Sequence, residues 1–547
     1  MVSWERDWSG VRPNVAKGWD VSDDGTTYTF HLREGMKWSD GEPFTANDVV
    51  WWYDNVILNE EITTAVPSWL RSGEAPATVT MADDYTVVVT YPEANGLLPL
   101  RLAAPAGPPM TSYPAHYMEQ FHVDFNPDTV ADAEAAGFET WVDYFTDHNG
   151  GGCCGYYRDA DLPVLWAWHL TTPYGENTTT IRAERNPYYW KVDTEGNQLP
   201  YIDTLIYNVG SDPETLVLQA LAGEIDYQER HIATLSNKSA FFDAQETAGI
   251  KLTNRLASGA NVMEISLNLN HSDPVKHEIF NNKDFRIGLS YAINRQELID
   301  VVLVGQGEPW QAAPMRSSPY YNERLATQYT EFSLDLANQH LDAAGYAERD
   351  ANGMRLGPDG DPISFTVDII TVAPDHIDMM NLISQYWANV GIKMTPNVLD
   401  RSLGQQRLEV MEHDANTWGA PGGVGYSTLL DPRNFVPMHG HSRYGYGWYR
   451  WYRDPNDEVA IEPPDIVKQQ LALYDQVGAT PDPVEQTRLM NQILDIAADQ
   501  FYVIGISTPA PAYGVANQKM GNIMDWMPAA WQYPTPGPAD TFQFYYE

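Results

Sequence analysis

Polar and apolar positions alternate clearly near the start of the chain. Tyr28, Phe30 and Leu32 are interleaved with Thr29 and His31, the period of two that a strand with one buried face requires. Ser39 to Gly41 has turn chemistry, and Thr45 stands three residues before Asp48, the spacing of a capping box. From Val49 to Ile57 the apolar positions continue at helical spacing, so the stretch predicts strand, turn and capped helix. Asp83 to Asn95 predicts another strand, closed at Pro92. Residues 104–165 are rich in Pro, Gly and aromatics, with helical intervals at His116 to Phe121 and Ala131 to Phe145. Ile181 to Asp212 gives a strand, a Pro-broken loop and a second strand through Ile206. An amphipathic helix follows, ended by Gly223, and then a short strand at Ile225 to Tyr227.

The pattern changes near residue 260. Val262 to Asn270 (VMEISLNLN) alternates as a strand, and Asp284 to Leu303 reads as one long helical run. Leu334 to Tyr346 predicts a helix with Gly345 placed for a left-handed cap. Ser364 to Val372 reads as a strand, Met379 to Ile392 as a helix ending at Gly391, and Lys393 to Leu399 as a strand. Strands alternating with helices favour α/β domains whose sheets are covered by helices.

At 547 residues the chain exceeds one hydrophobic core and predicts two or three domains. Acidic residues outnumber basic ones 74 to 33, so the surface repels phosphate backbones and anionic lipid, which argues against nucleic acid or direct membrane binding. The two cysteines, Cys153 and Cys154, are adjacent. They exclude a disulfide framework and a four-thiolate zinc site, and leave open a strained vicinal ring or two ordinary thiols. The first ten residues carry neither a basic stretch nor an apolar core of signal-peptide length.

Six segments, in order, resemble the bacterial extracellular solute-binding proteins of family 5, the oligopeptide- and dipeptide-binding group. They are Thr29 to Val56, Glu184 to Asp193, Ala220 to Tyr227, Phe280 to Pro314, His340 to Tyr346 and Gln385 to Met394. The resemblance implies an α/β, two-lobed periplasmic-binding-protein type II fold with an extra α/β domain (cluster C type) and mixed sheets. Residues 1–165 are then the extra domain, 166–262 with 500–547 the first lobe, and 263–499 the second. Relatives begin with an export signal and a first-lobe strand before the point matched by Thr29, so a missing N-terminal part of the first lobe is expected. The implied function is the solute-binding subunit of an ABC importer, a monomer that captures oligopeptides or peptide-like solutes by hinge closure and hands them to a membrane permease. It implies no catalysis, cofactor or metal, and a periplasmic or extracytoplasmic location.

The segment His413 to Pro437 holds the candidate ligand residues. Gly419, Gly422, Gly423 and Gly425 leave backbone groups approachable, while Trp418 and Tyr426 offer flat apolar area with a polar tip. In peptide-binding relatives an aspartate shortly after the tryptophan pairs with the peptide's amino terminus. Here WGAPGG follows instead, leaving Asp414 before the tryptophan and Asp431 well after it. Asp414 suits a turn or cap as well as a ligand, and Arg433 suits an ion pair as well as a ligand carboxylate. The 18 Trp, 32 Tyr and 16 Phe, densest at Arg443 to Tyr452, serve sugars and peptides equally, so an oligosaccharide is the rival ligand. A glycoside hydrolase is the rival class, since acids are plentiful and their facing cannot be read from spacing. His413, His439 and His441 lack a helical H-E-x-x-H pattern, and neither a Walker loop nor a G-x-S-x-G elbow is present.

Overall fold

The computed structural model describes residues 1–73, 75–105, 107–149, 157–175, 177–210, 212–534 and 536–547. Cys153 and Cys154 lie outside these. The chain forms two compact units, Met1–Leu256 with Ala479–Pro481 and Ala512–Glu547, and Ala257–Gly478 with Asp482–Pro511.

Among the described residues the first unit contains three larger sheets. In the first, the antiparallel order is Ala16–Val21, Thr27–Leu32, Thr86–Thr90, Thr78–Asp83. Tyr28, Phe30 and Leu32 point inward as their alternation predicts. The helix Ala46–Trp52 starts with the expected capping box: Thr45 accepts from the Asn47 amide, and Asp48 accepts from the Thr45 amide at 2.9 Å. Trp51 and Trp52 are buried there. The second sheet runs Thr204–Asn208, Thr180–Arg185, Trp168–Thr172. In the third, Ala512–Asn517 lies between Tyr227–Gln228 and Ile250–Ala257 and pairs antiparallel with both. Its core joins Val515 and Tyr513 to Ala220, Ile232, Phe241 and Ile250. The two chain ends meet within this unit: the Trp4 indole donates to the Gln532 carbonyl at 2.7 Å, and Arg6 and Arg12 both pair with Asp540, at 2.9 and 2.6 Å.

The second unit is built on one mixed sheet in the order Lys393–Leu399, Ser364–Ile370, Ala415–Ala420, Asn261–Leu267, Val503–Gly505. Ser364–Ile370 is parallel to both neighbours; Asn261–Leu267 is antiparallel to both of its own. Met263, Ile265, Leu267, Phe365, Val367 and Ile369 form an apolar face. Phe365 packs on Phe285 and Trp387, which come from the helices Lys283–Tyr291 and Pro374–Asn389, and the Trp387 indole donates to the Leu289 carbonyl.

The division differs from the expected one. Residues 257–262 and 500–511 join the second unit, because Asn261–Leu267 and Val503–Gly505 are neighbouring strands of its sheet. The chain touches the first unit at Ala479–Pro481 before returning to it at Ala512, and residues 1–165 and 166–256 share that unit. The run Asp284 to Leu303 is two helices, Lys283–Tyr291 and Arg295–Val301, since the Asn294 side chain caps the second by accepting from the Glu297 amide.

Candidate functional site

The segment read as a Gly-rich loop begins as the strand Ala415–Ala420 of the second unit's sheet. Trp418 is partly exposed on it. The Arg443 guanidinium lies 4.3 Å from the Trp418 ring centroid and the Arg401 guanidinium 5.6 Å from it, both cation–π distances. His441 stacks on the same indole at 6.3 Å and 27°, and its Nδ1 accepts from Arg443 Nη2 at 3.4 Å. Burial and the surrounding arginine charges, Arg443 first, push the His441 imidazole down to about 3, so it is neutral at pH 7. Arg401 is exposed while Arg443 is buried.

Glu264 stands directly opposite Trp418 in the antiparallel pair. Burial pushes its carboxyl up to about 8 against the pull of Arg443 and Arg433, so it holds its proton at neutral pH. The Arg443 guanidinium is in turn lowered by burial to about 10, with Glu264 raising it. Concentrations of perturbed ionisable groups beside a partly exposed aromatic mark functional surfaces.

The other expected residues fall into different roles. The Asp414 carboxylate receives Lys276 Nζ at 2.7 Å, His271 Nε2 at 2.9 Å and the Thr366 amide at 2.9 Å. These contacts outweigh burial and hold it well below the usual carboxylate range. It ties the strand Ser364–Ile370 to the helix Pro274–Asn281. Arg433 is buried and forms a bidentate pair with Asp431 through Nε and Nη2. Tyr426 is half-buried ahead of the short helix Ser427–Leu430. Gly419 lies in the strand with ordinary room beside it.

Gly422 adopts φ +85°, and Gly423 packs against the chain's own backbone. Its amide donates to the Ser258 carbonyl at 2.9 Å, and a Cβ there would sit 2.1 Å from the Gly259 oxygen. Gly423→Ala is therefore expected to destabilise the second unit by about 1–3 kcal/mol. Urea denaturation measures this, and an unchanged midpoint would contradict the packing role.

Sequence reasoning passed over Arg443, Arg401 and Glu264. Arg443 lies in the aromatic cluster noted above, Arg401 begins a helix whose spacing gives no sign of it, and Glu264 was visible only as a polar position in an alternating strand.

Two α/β units, the second carrying a helix-covered mixed sheet with an arginine-flanked tryptophan at one strand, make up the α/β two-lobed fold of periplasmic solute-binding proteins. Residues 10–147 and 168–446 match the bacterial extracellular solute-binding proteins, family 5 Middle, and the chain belongs to that family. Its members serve as solute-binding components of ABC importers, and that is the function of this chain. It is 28% identical over 533 residues to the periplasmic alpha-galactoside-binding protein of Rhizobium meliloti, spanning 93% of this chain and 71% of that one. It is 25% identical to di/tripeptide-binding protein 1 of Pseudomonas aeruginosa, spanning 80% and 71%. A solved oligopeptide-binding protein OppA superposes with a TM-score of 0.72 at 32% identity, covering 100% of this chain and 87% of the other. The periplasmic binding protein MelB from Agrobacterium fabrum, solved with stachyose, shares the fold at a TM-score of 0.72 and 20% identity, covering 99% and 78%. Among the described residues no helix is long and apolar enough to cross a membrane.

Proposed function

We propose that this solute-binding protein captures an oligosaccharide outside the cytoplasmic membrane, delivers it to an ABC permease and catalyses nothing. The observation that carries the ligand class is the charge around Trp418. Arg443 and Arg401 flank the indole, while the acids that would hold a peptide ammonium are engaged or neutral. Asp414 is held by Lys276, His271 and Thr366, Asp431 is paired with Arg433, and Glu264 keeps its proton. A cationic amino terminus meets net repulsion there, whereas a sugar ring needs a flat face and neutral or cationic hydrogen-bond donors. The alpha-galactoside-binding relative, matched over most of the chain, supports the same class.

An oligopeptide is the second reading, favoured by the 32% identity with the solved oligopeptide-binding protein. Thermal denaturation with peptides and with gluco-, manno- and galacto-oligosaccharides separates the two. A true ligand at a hundred times its dissociation constant adds about 2.7 kcal/mol. We expect one sugar class to raise the melting temperature and the peptides to leave it unchanged; the reverse pattern would establish the second reading.

A further inference from the structure

The chain carries 74 acidic residues to 33 basic ones, so cations that gather without carboxylate partners stand out. Four segments of the first unit bring such a group together: the strand Val11–Pro13, the residue after the strand Thr27–Leu32, the loop beyond Thr180–Arg185, and the short helix Thr541–Gln543. The Arg33 guanidinium lies 4.8 Å from the Trp190 ring centroid and the Lys191 ammonium 4.9 Å from it. The same ammonium lies 4.4 Å from the Phe542 ring. These rings attract the cations but offer them no lone pair. Arg33 Nε donates to the Asn14 carbonyl at 2.8 Å. Among the described residues, its two Nη groups and the Lys191 ammonium have neither a hydrogen-bond nor a carboxylate partner. Arg33, Trp190 and Lys191 are half-buried, and none of these unpaired nitrogens is enclosed by protein, so a small ion reaches them. The carboxylate that acts on Lys191 is Asp540, which Arg6 and Arg12 already hold at 2.9 and 2.6 Å. Burial lowers the Lys191 ammonium to about 8; Asp540 pulls it up, and Arg12 and Arg33 push it further down. Arg6, Arg12, Arg33 and Lys191 thus face one carboxylate with a surplus of positive charge, on a chain that is elsewhere acidic.

We propose that Arg33 and Lys191, held beside Trp190, form a site for a free divalent oxyanion of the phosphate or sulfate class. The two unpaired Nη groups of one planar fork match two oxygens of such an anion, and the ammonium adds further donors as a point charge. Several cations around one committed carboxylate suit a dianion better than a single ligand carboxylate. The acidic remainder of the surface repels a lipid layer or a long polyanion, which favours a small free ion as the occupant. Bound there, the anion offsets the mutual repulsion of Arg12, Arg33 and Lys191. It also ties together Arg12, the Trp190 loop and the helix bearing Phe542, whichever solute the protein carries.

The test is equilibrium dialysis of the full chain against radiolabelled inorganic sulfate and phosphate at pH 7, with sodium chloride holding the ionic strength constant. We expect one anion bound per chain. Its affinity should fall about tenfold or more in Arg33→Gln and in Lys191→Met, and stay within about threefold of wild type in Lys191→Arg. Sulfate keeps both charges as pH rises from 7 to 9.5, so its binding to wild type should weaken as Lys191 loses its proton, while Lys191→Arg stays level. Circular dichroism melts establish that each variant folds. Should Lys191→Met fail to fold, Arg33→Gln and the pH profile decide the question. Absence of bound anion from wild type overturns the site, as does sulfate held equally by wild type and both variants at every pH. Acetate that displaces sulfate as readily as phosphate does would overturn the dianion assignment.

Discussion

Trp418→Ala is expected to weaken ligand binding about thirtyfold or more, the loss of a hot-spot aromatic contact worth about 2 kcal/mol or above. The indole is partly exposed at one strand of the second unit, with the buried Arg443 and the exposed Arg401 both within cation–π distance of it. Truncation removes the flat surface and also frees Arg443 from its cation–π contact, so affinity suffers twice. The fold loses little, because a partly exposed side chain at this position is not part of the apolar face on which Phe365 and Trp387 pack. Trp418→Phe keeps a ring and should fall between the two. Titration calorimetry on whichever solute gives the thermal shift reads this directly. An alanine variant that binds as wild type would remove Trp418 from the site.

Asp414→Ala is expected to have the largest effect on stability, about 3–5 kcal/mol, because it leaves Lys276 and the Thr366 amide without the buried carboxylate they share. The pH dependence has a definite sign. The folded-state pKa of Asp414 lies below its unfolded value, so its contribution is complete above about pH 4 and is lost as pH falls toward the folded value. Urea denaturation at pH 7 and at pH 3 tests both points: the gap between wild type and variant should be wide at pH 7 and narrower at pH 3. Equal midpoints at pH 7 would mean the ion pairs contribute nothing.

These two residues show where reading the chain in one dimension succeeds and where it stops. The Thr45 capping box and the inward-facing Tyr28, Phe30 and Leu32 were legible because both depend on spacings of two or three residues. Val262 to Asn270 was legible as a strand for the same reason. That its polar members are as buried as its apolar ones was not, since Arg443 and Trp418 reach them from more than 150 positions away. Asp414 offered no clue to its ties with Lys276, His271 and Thr366, all distant in sequence. The break at Asn294 was in plain view as an Asn three residues before Glu297, a cap hidden inside a longer apolar rhythm. The helices Asp465–Ala479 and Pro483–Gln500, and the helix Tyr446–Arg453 within the aromatic cluster, were not predicted. In the last of these, tyrosine and tryptophan at nearly every position blur the contrast on which periodicity depends.

The strand Ala512–Asn517, set between Tyr227–Gln228 and Ile250–Ala257, ties the order of synthesis to the order of folding. A chain emerging from the ribosome has made both flanking strands long before the strand that joins them exists, and must translate the whole second unit in between. Until then the edges at Tyr227 and Ile250 stay open and adhesive, and closing them spans more than 250 residues, a loop of slow-folding topology. Delayed maturation of this kind keeps a nascent protein unfolded for longer, the condition in which chaperones engage it.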